Sequence, residues 1–249
     1  RFGPDSGIGA LARAIVGGDA ERALACLDDD GFPDVRRVAL PEGGDLEPLG
    51  ALAVHGYAPF ARERRPAEML AALDRFRILC AHRIGAFGVG AANEAVSRSL
   101  AAAGLLVPED HWYAGRPILI GENDYSLGLF NGDVGVIAPD SESGALRAWF
   151  TDPAGQLRPF APARLPAHET VFAMTVHKSQ GSEFEDVVVL LPDHLSRVLT
   201  RELLYTAVTR ARRSVTIFGH PDAIHHAVAH RVERTSGLRE RLWGASPGS

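Results

Sequence analysis

Apolar residues in SGIGALARAIVGGDAERALACLDDD recur every three to four positions from Ile8 onward. That spacing predicts an amphipathic helix capped by Ser6, a break at Gly17-Gly18, and a second helix from Asp19. The Gly/Pro/acid-rich stretch from Pro41 to Gly50 reads as a loop, and residues 51–74 as a further helical region. RFRILCA is a short buried strand and GAANEAVSRSLAAAG the helix after it, a strand-then-helix rhythm of α/β type. After Pro108 the pattern changes. RPILIGEND, NGDVGVIAP, ALRAWFTD and QLRPFAPARL are short apolar runs separated by Asn-Gly, Pro-Asp and Pro-Ala-Gly turns. They predict a small antiparallel barrel or meander over residues 112–166. The α/β rhythm then resumes: TVFAMTV and DVVVLLP as strands, TRELLYTAVTRARR as a helix, SVTIFG as a strand, and a last helix from about Pro221.

The expected fold class is therefore α/β, one parallel-sheet domain interrupted by an all-β module. The expected divisions are 1–111, the inserted module 112–166, the remainder of the sheet domain 167–236, and a tail 237–249 ending in GASPGS. No internal repeat is present.

Composition changes this picture in three ways. The 249 residues are 46% hydrophobic and 23% charged, which fits a globular chain with a sizeable core. Apolar runs such as Val187 to Leu191 are far too short to cross a bilayer, so no membrane partner is expected. The chain starts at Arg1 without methionine or a signal-like segment, and reads as a fragment of a longer cytosolic protein, cytoplasmic in location. Cys26 and Cys80 offer neither a disulfide framework nor metal-ligand spacing, and both read as buried free thiols. The net charge of −5 is uneven: residues 1–60 hold ten acids against five arginines, whereas Ser196 to Arg213 holds five arginines and one glutamate. The surface as a whole is no polyanion sponge, but a local basic strip can line a phosphate site.

Several patterns lead nowhere. GIGALA fits a loose dinucleotide pattern, but no strand precedes it, and helix-start glycines explain it. DDDG at residues 28–31 lacks the alternating spacing of a calcium loop. His226, His230 and Glu233 are better read as a solvated helix face than as zinc ligands. A G-x-x-x-x-G-K-[ST] loop needs a lysine, and the chain's only one, Lys178, follows FAMTVH. These residues cannot build a complete P-loop.

The informative segment is TVHKSQGSEFEDVVVLLP, Thr175 to Pro192. Ligands of open parallel sheets gather beyond strand carboxyl ends, which is where Thr175, His177, Lys178, Ser179 and Gln180 fall. Gly181 permits close backbone approach, and Glu183 offers a carboxylate to a hydroxyl. Arg210, near the end of the helix TRELLYTAVTRARR, either snorkels to water or reaches a phosphate. A polar strand-to-helix loop is the plain alternative. In NDYSLGLFNGDVG, Asn131-Gly132 is a hairpin signal. Tyr125 and Phe130 nearby are expected in the barrel core, with stacking or wedge roles as the alternative.

Together, TVHKSQGSEFEDVVVLLP and TRELLYTAVTRARRSVTIFG resemble the last two nucleotide- and DNA-contacting motifs of superfamily 1 helicases. RFGPDSGIGALA, ILCAHRIGAFGVGAANEAV and WYAGRPILIGENDYSLGLFNGDVGVI narrow the resemblance to the RecD family, the alpha subunits of exodeoxyribonuclease V, or RecBCD. It covers nearly the whole chain and is weakest from Ala25 to Arg75. The resemblance implies the second RecA-like domain of an ATP-dependent 5′-to-3′ DNA helicase, with an SH3-like β-barrel inserted at 112–166. ATP and Mg2+ are implied cofactors, with the P-loop and magnesium ligands in a first domain not contained in these residues. Implied partners are single-stranded DNA at a duplex end and RecB- and RecC-like subunits, in double-strand break repair. Matched by motif, Arg210 corresponds to the arginine finger at the γ-phosphate, and Arg1 to a second γ-phosphate arginine. Gly181 falls beside the phosphates, Glu183 near the ribose, and Thr175, His177 and Lys178 at the single-strand track. A non-catalytic docking or DNA-binding module, and another superfamily 1 helicase such as a stand-alone RecD-like enzyme or a relaxase-helicase, are the competing expectations.

Overall fold

Helix α1 (Gly7–Gly17) begins at Ser6, whose hydroxyl accepts from the Gly9 amide, and ends at Gly18, which takes φ 76°. Asp34 caps the same helix from across the chain, accepting from the Gly7 and Ile8 amides at 2.9 and 3.1 Å. Helix α2 (Ala20–Asp28) starts at Asp19, which caps the Arg22 amide. The computed structural model to which these elements belong describes residues 2–3, 6–40, 42–108 and 110–232. Arg1, Glu233 and the expected tail 237–249 lie outside the described residues.

Five parallel strands form the centre: β1 (Val35–Val38), β2 (Phe76–Cys80), β8 (Ala173–Thr175), β9 (Phe184–Leu190) and β10 (Ala211–Phe218). Their order is β1-β10-β9-β2-β8. Alternation along β9 shows why both faces need cover. Val187 and Val189 pack with α1, α2, α6 (Arg201–Val208) and α7 (Pro221–Ala229). Val188 and Leu190 pack on the opposite side with α3 (Glu47–Arg62), α4 (Pro66–Leu73) and α5 (Val89–Ala102). A near-continuous apolar run is what a strand buried on both faces requires. Each of these side chains contributes about 1.5–3 kcal/mol on burial.

Between α5 and β8 the chain builds a five-stranded antiparallel sheet of β3 (Pro117–Ile120), β4 (Val134–Pro139), β5 (Leu146–Thr151), β6 (Leu157–Phe160) and β7 (His168–Thr170), in the order β6-β5-β4-β3-β7. It has its own core, which includes Ile118, Ile137 and Phe150. Its last strand lies beyond Pro166: the run TVFAMTV is divided, with Thr170 ending β7 and Ala173 starting β8. Only Val171 and Phe172 join the two sheets there. Both backbone carbonyls are gripped, Val171 O by the buried Arg77 guanidinium at 2.7 Å and Phe172 O by the Tyr57 hydroxyl. Asn93 satisfies the outer edge of β8, exchanging hydrogen bonds with both Ala173 N and Ala173 O.

Four local expectations change. The second helical region starts earlier, at Glu47, and is broken into α3 and α4 at Arg65-Pro66, as proline's bias against helix in the preceding residue predicts. Strand β1 is an addition. Helix α6 stops at Val208, and ARRS pairs with β9 as the start of β10, so Arg210 occupies a turn rather than a helix end. Tyr125 and Phe130 are not core: they are 80% and 43% exposed and meet edge-to-face, with ring centroids 5.9 Å apart. Their hairpin is fixed by Asp124, which accepts from Ser126 N and Leu127 N, so the two rings are held in solvent by a structured turn.

Both cysteines are buried and unpaired, and burial pushes the Cys80 thiol up to about 12. Among the described residues no helix is long and apolar enough to cross a membrane.

Candidate functional site

The segment following β8 runs the height of the parallel sheet. Thr175 is level with Cys80, and Cys80 with Leu190, the last residue of β9. Phe184, the first residue of β9, lies six strand positions lower, about 20 Å at the rise of an extended strand. Residues 176–183 therefore descend from the carboxyl edge of the sheet to its amino edge. Strand-end geometry predicts Thr175, His177, Lys178, Ser179 and Gln180 at the carboxyl edge. The structure puts Thr175, His177 and Lys178 there and Glu183 at the amino edge with Arg210, while Gly181 lies in the turn between the two, closed by Ser182 N to Ser179 O at 3.0 Å.

At the carboxyl edge a short 3-10 turn, His177–Ser179, follows β8. Thr175 Oγ1 accepts from the Lys178 amide at 3.3 Å, and the buried Ser179 hydroxyl donates to Val176 O at 2.7 Å. These bonds fix the turn, leaving His177 exposed. Lys178 Nζ lies 2.8 Å from Glu169 of β7, whose other oxygen is 3.0 Å from Arg83 in the loop after β2. In that same loop His82 Nε2 is 2.8 Å from Ser196 Oγ, and burial together with the neighbouring His194 ring lowers its pKa. Beside the turn a cleft of about 920 Å³ opens between His177, Gln180, segment 195–200, α6 and the end of α7. Arg197, Arg231, His226 and His230 line it, with Glu202 as its acid and Leu195 and Val198 as apolar wall. His226 and His230 stack 3.8 Å apart, and no cluster of three metal-ligating side chains exists among the described residues.

Between the two edges Gly181 takes φ 89°, and nothing lies within 4 Å of where its Cβ would be. Its glycine requirement is thus conformational, and its open side faces no protein atom in that range. The half-buried Arg210 donates from Nη1 to Ser182 O at 2.9 Å and from Nε to Thr206 O at 3.3 Å. In return the Phe184 amide donates to Arg210 O at 2.9 Å. The guanidinium is thereby held against the 182–184 turn. Glu183 Oε2 accepts from Arg212 Nε at 2.9 Å. Three residues on, the Asp186 carboxylate is buried enough to raise its pKa, yet Arg213 and the Ser214 hydroxyl outweigh burial and hold it below the usual range. Arg83, Glu169 and Arg212 were not singled out from sequence. Arg83 lies just past a predicted strand, which is a usable signal; Glu169 and Arg212 reach the site only through the fold.

The parallel sheet thus carries its motif-bearing segment along one face, with an arginine toward its amino edge and cations at its carboxyl edge. Residues 170–218 match the UvrD-like helicase C-terminal domain. Over 97% of its length the chain is similar to RecBCD enzyme subunit RecD, 42% identical to that of Mycobacterium tuberculosis across 41% of that protein. The RecD subunit of Haemophilus influenzae is 34% identical across 97% of this chain and 40% of its own. The chain thus spans about two fifths of the length of these curated relatives. Among solved structures, a Pif1 helicase from Bacteroides in complex with ADP-AlF3 and ssDNA aligns over 98% of this chain and 54% of its own, with TM-score 0.46 and 14% identity.

Proposed function

We propose that this chain is the C-terminal motor half of an ATP-dependent 5′-to-3′ DNA helicase of the RecBCD type, acting in recombinational double-strand break repair in the cytoplasm. In this reading the parallel sheet is a second RecA-like domain and the antiparallel sheet an inserted SH3-like barrel. The partners are single-stranded DNA at a duplex end and RecB- and RecC-like subunits. One observation carries the reading: Arg210 is clamped to the same turn that bears Glu183, at the sheet edge away from His177 and Lys178. Two ligand sites joined by one eight-residue segment are what coupling hydrolysis to strand movement requires.

The residues present fit one wall of an ATP site and not the whole of it. Arg210 would bring its fixed positive charge to the γ-phosphate, Gly181 its backbone to the phosphates, and Glu183 an acceptor to the ribose. Arg1 is assigned to the γ-phosphate by resemblance alone. The P-loop and the Mg2+ ligands would come from a companion domain, since Lys178 is the only lysine and stands outside any glycine loop. Bound there, the nucleotide supplies the phosphoryl group whose transfer drives the motor. At the other edge, Thr175, His177 and Lys178 would follow the DNA strand, Lys178 through charge and His177 by stacking or hydrogen bonding.

Two tests apply. The 249-residue chain by itself is expected to hydrolyse no ATP above background, and measurable turnover would require a site other than the one described. In the full-length polypeptide, His177→Ala is expected to weaken oligonucleotide binding or to uncouple unwinding from hydrolysis. Normal values for both would remove His177 from the track. A second reading, a docking or DNA-binding module without catalysis, draws on the exposed Tyr125–Phe130 pair and the absent P-loop lysine. Another superfamily 1 helicase, such as a stand-alone RecD-like enzyme, would use the same two edges.

A further inference from the structure

Three separate segments, the loop after β2, strand β7 and the turn after β8, meet at one carboxylate. Glu169 Oε1 is 2.8 Å from Lys178 Nζ, and Glu169 Oε2 is 3.0 Å from Arg83 Nη2. Each cation stands at the carboxyl end of a parallel strand, Arg83 after β2 and Lys178 after β8, and those strands are neighbours. The acid comes from the other sheet, where β7 sets Glu169 opposite Leu119 of β3. None of the three is positioned by accident of a floppy loop. The Arg83 loop is closed by Gly88 N to Gly85 O at 3.0 Å and Val89 N to His82 O at 3.1 Å. A side chain at Gly88 would strike the backbone of Arg83 and Ile84, at 2.8 and 2.7 Å. The Lys178 turn is tied by Thr175 and Ser179.

Two oxygens of one anion, each taken by a separate cation, is the arrangement by which proteins hold the two non-bridging oxygens of a phosphodiester. The side chains of Glu169 and Lys178 retain 29% and 28% exposure, and that of Arg83 66%. The contact to the mostly solvated Arg83 adds little to stability, so the fold alone does not account for bringing a second cation to Glu169. Two cations against one acid leave the cluster with a net positive charge toward a polyanion.

We propose that Arg83 and Lys178 form a phosphodiester subsite of the strand track and that Glu169 is its resident internal anion. The arriving phosphate must displace Glu169, so this residue sets how tightly the strand is held and how readily it is released. Because Glu169 belongs to β7, displacement also severs a direct tie between the antiparallel sheet and the track. The proposal rests on the reading of 175–178 as a DNA track, and the test separates the two.

The measurement is fluorescence anisotropy of labelled oligo-dT with the full-length polypeptide, over a series of salt concentrations. Removing the competing charge in Glu169→Gln, a near-isosteric change, is expected to tighten binding about fivefold at low salt and steepen the log–log salt slope by about 0.7, one further phosphate contact. Glu169→Ala should do the same. In Glu169→Gln/Lys178→Ala the gain should disappear. If both Glu169 variants bind no tighter than the parent while Lys178→Ala or Arg83→Ala weakens binding, Glu169 orients the cations instead of competing, and the proposal is overturned with the track intact. If neither Lys178→Ala nor Arg83→Ala changes affinity, the track reading and the proposal fall together.

Discussion

Replacing Arg210 with alanine in the full-length polypeptide is expected to cut DNA-stimulated ATP hydrolysis by about 10³-fold or more, while single-strand affinity stays within a few-fold. The reason is positional. Phosphoryl transfer depends on positioning and on neutralising charge spread over the transferred group, and an arginine brings a planar fork that is charged at every accessible pH. Here that fork is pre-oriented: Nη1 and Nε are engaged by Ser182 O and Thr206 O, so little ordering remains to be done when a phosphate arrives. Arg210→Lys should restore only a small part of the rate, because one ammonium cannot both hold the Ser182 carbonyl and present a second donor pair. Strand affinity should survive because His177 and Lys178 lie at the opposite edge of the sheet. Turnover and oligonucleotide affinity measured on the same preparations check this. An Arg210→Ala protein that hydrolyses ATP at the parental rate would reject the finger role.

The second large effect concerns stability. Arg77 is the second residue of β2 and has 0% exposure, donating to Val171 O at 2.7 Å and Leu73 O at 3.4 Å. Its guanidinium also lies 3.5 Å from Asp74 and 5.0 Å from the Phe184 ring centroid. Arg77→Ala would leave a cavity among these groups and a buried carbonyl without its donor. The two losses together are expected to cost about 3–5 kcal/mol. That corresponds to a melting temperature lower by about 6–20 °C for a chain of this size. Arg77→Met, which fills most of the volume but donates nothing, should fall between parent and alanine. Denaturant unfolding of the three proteins decides the matter, and an alanine variant within 1 kcal/mol of the parent would contradict it.

The parts of the fold legible in sequence are those where local pattern and tertiary demand agree. DVVVLLP is β-branched, apolar and bounded by turn residues, and it forms the doubly covered strand β9. Ser6 and Gly18 announce the ends of α1 and cap it as read. Strand β1 was illegible because VRRV is four residues long, half of them arginine, and earns its place only by pairing with β10, where Arg36 Nε reaches Thr216 Oγ1 at 3.1 Å. RARR reads as helix because arginine and alanine are good helix formers, and pairing with β9 overrides that propensity. Tyr125 and Phe130 precede a hairpin signal whose inward and outward sides cannot be told apart before register is known.

For the site, motif residues between 175 and 183 and Arg210 could be named from the chain alone, since contiguous segments carry them. The division of that segment between two sheet edges could not, because it depends on which strand lies beside which. Glu169 was beyond reach for the same reason: a glutamate in a polar stretch has no local mark until β7 brings it to Lys178.

The link between the sheets sets a mechanical limit. Two residues span at most about 7 Å even when fully drawn out, and Val171 and Phe172 are each fastened by a side chain from α3 or β2. The ends of β7 and β8 therefore cannot part by more than a small fraction of the domain's width. A shift of the Thr175–Lys178 turn that carries β8 with it meets this two-residue link, which holds little slack to absorb it.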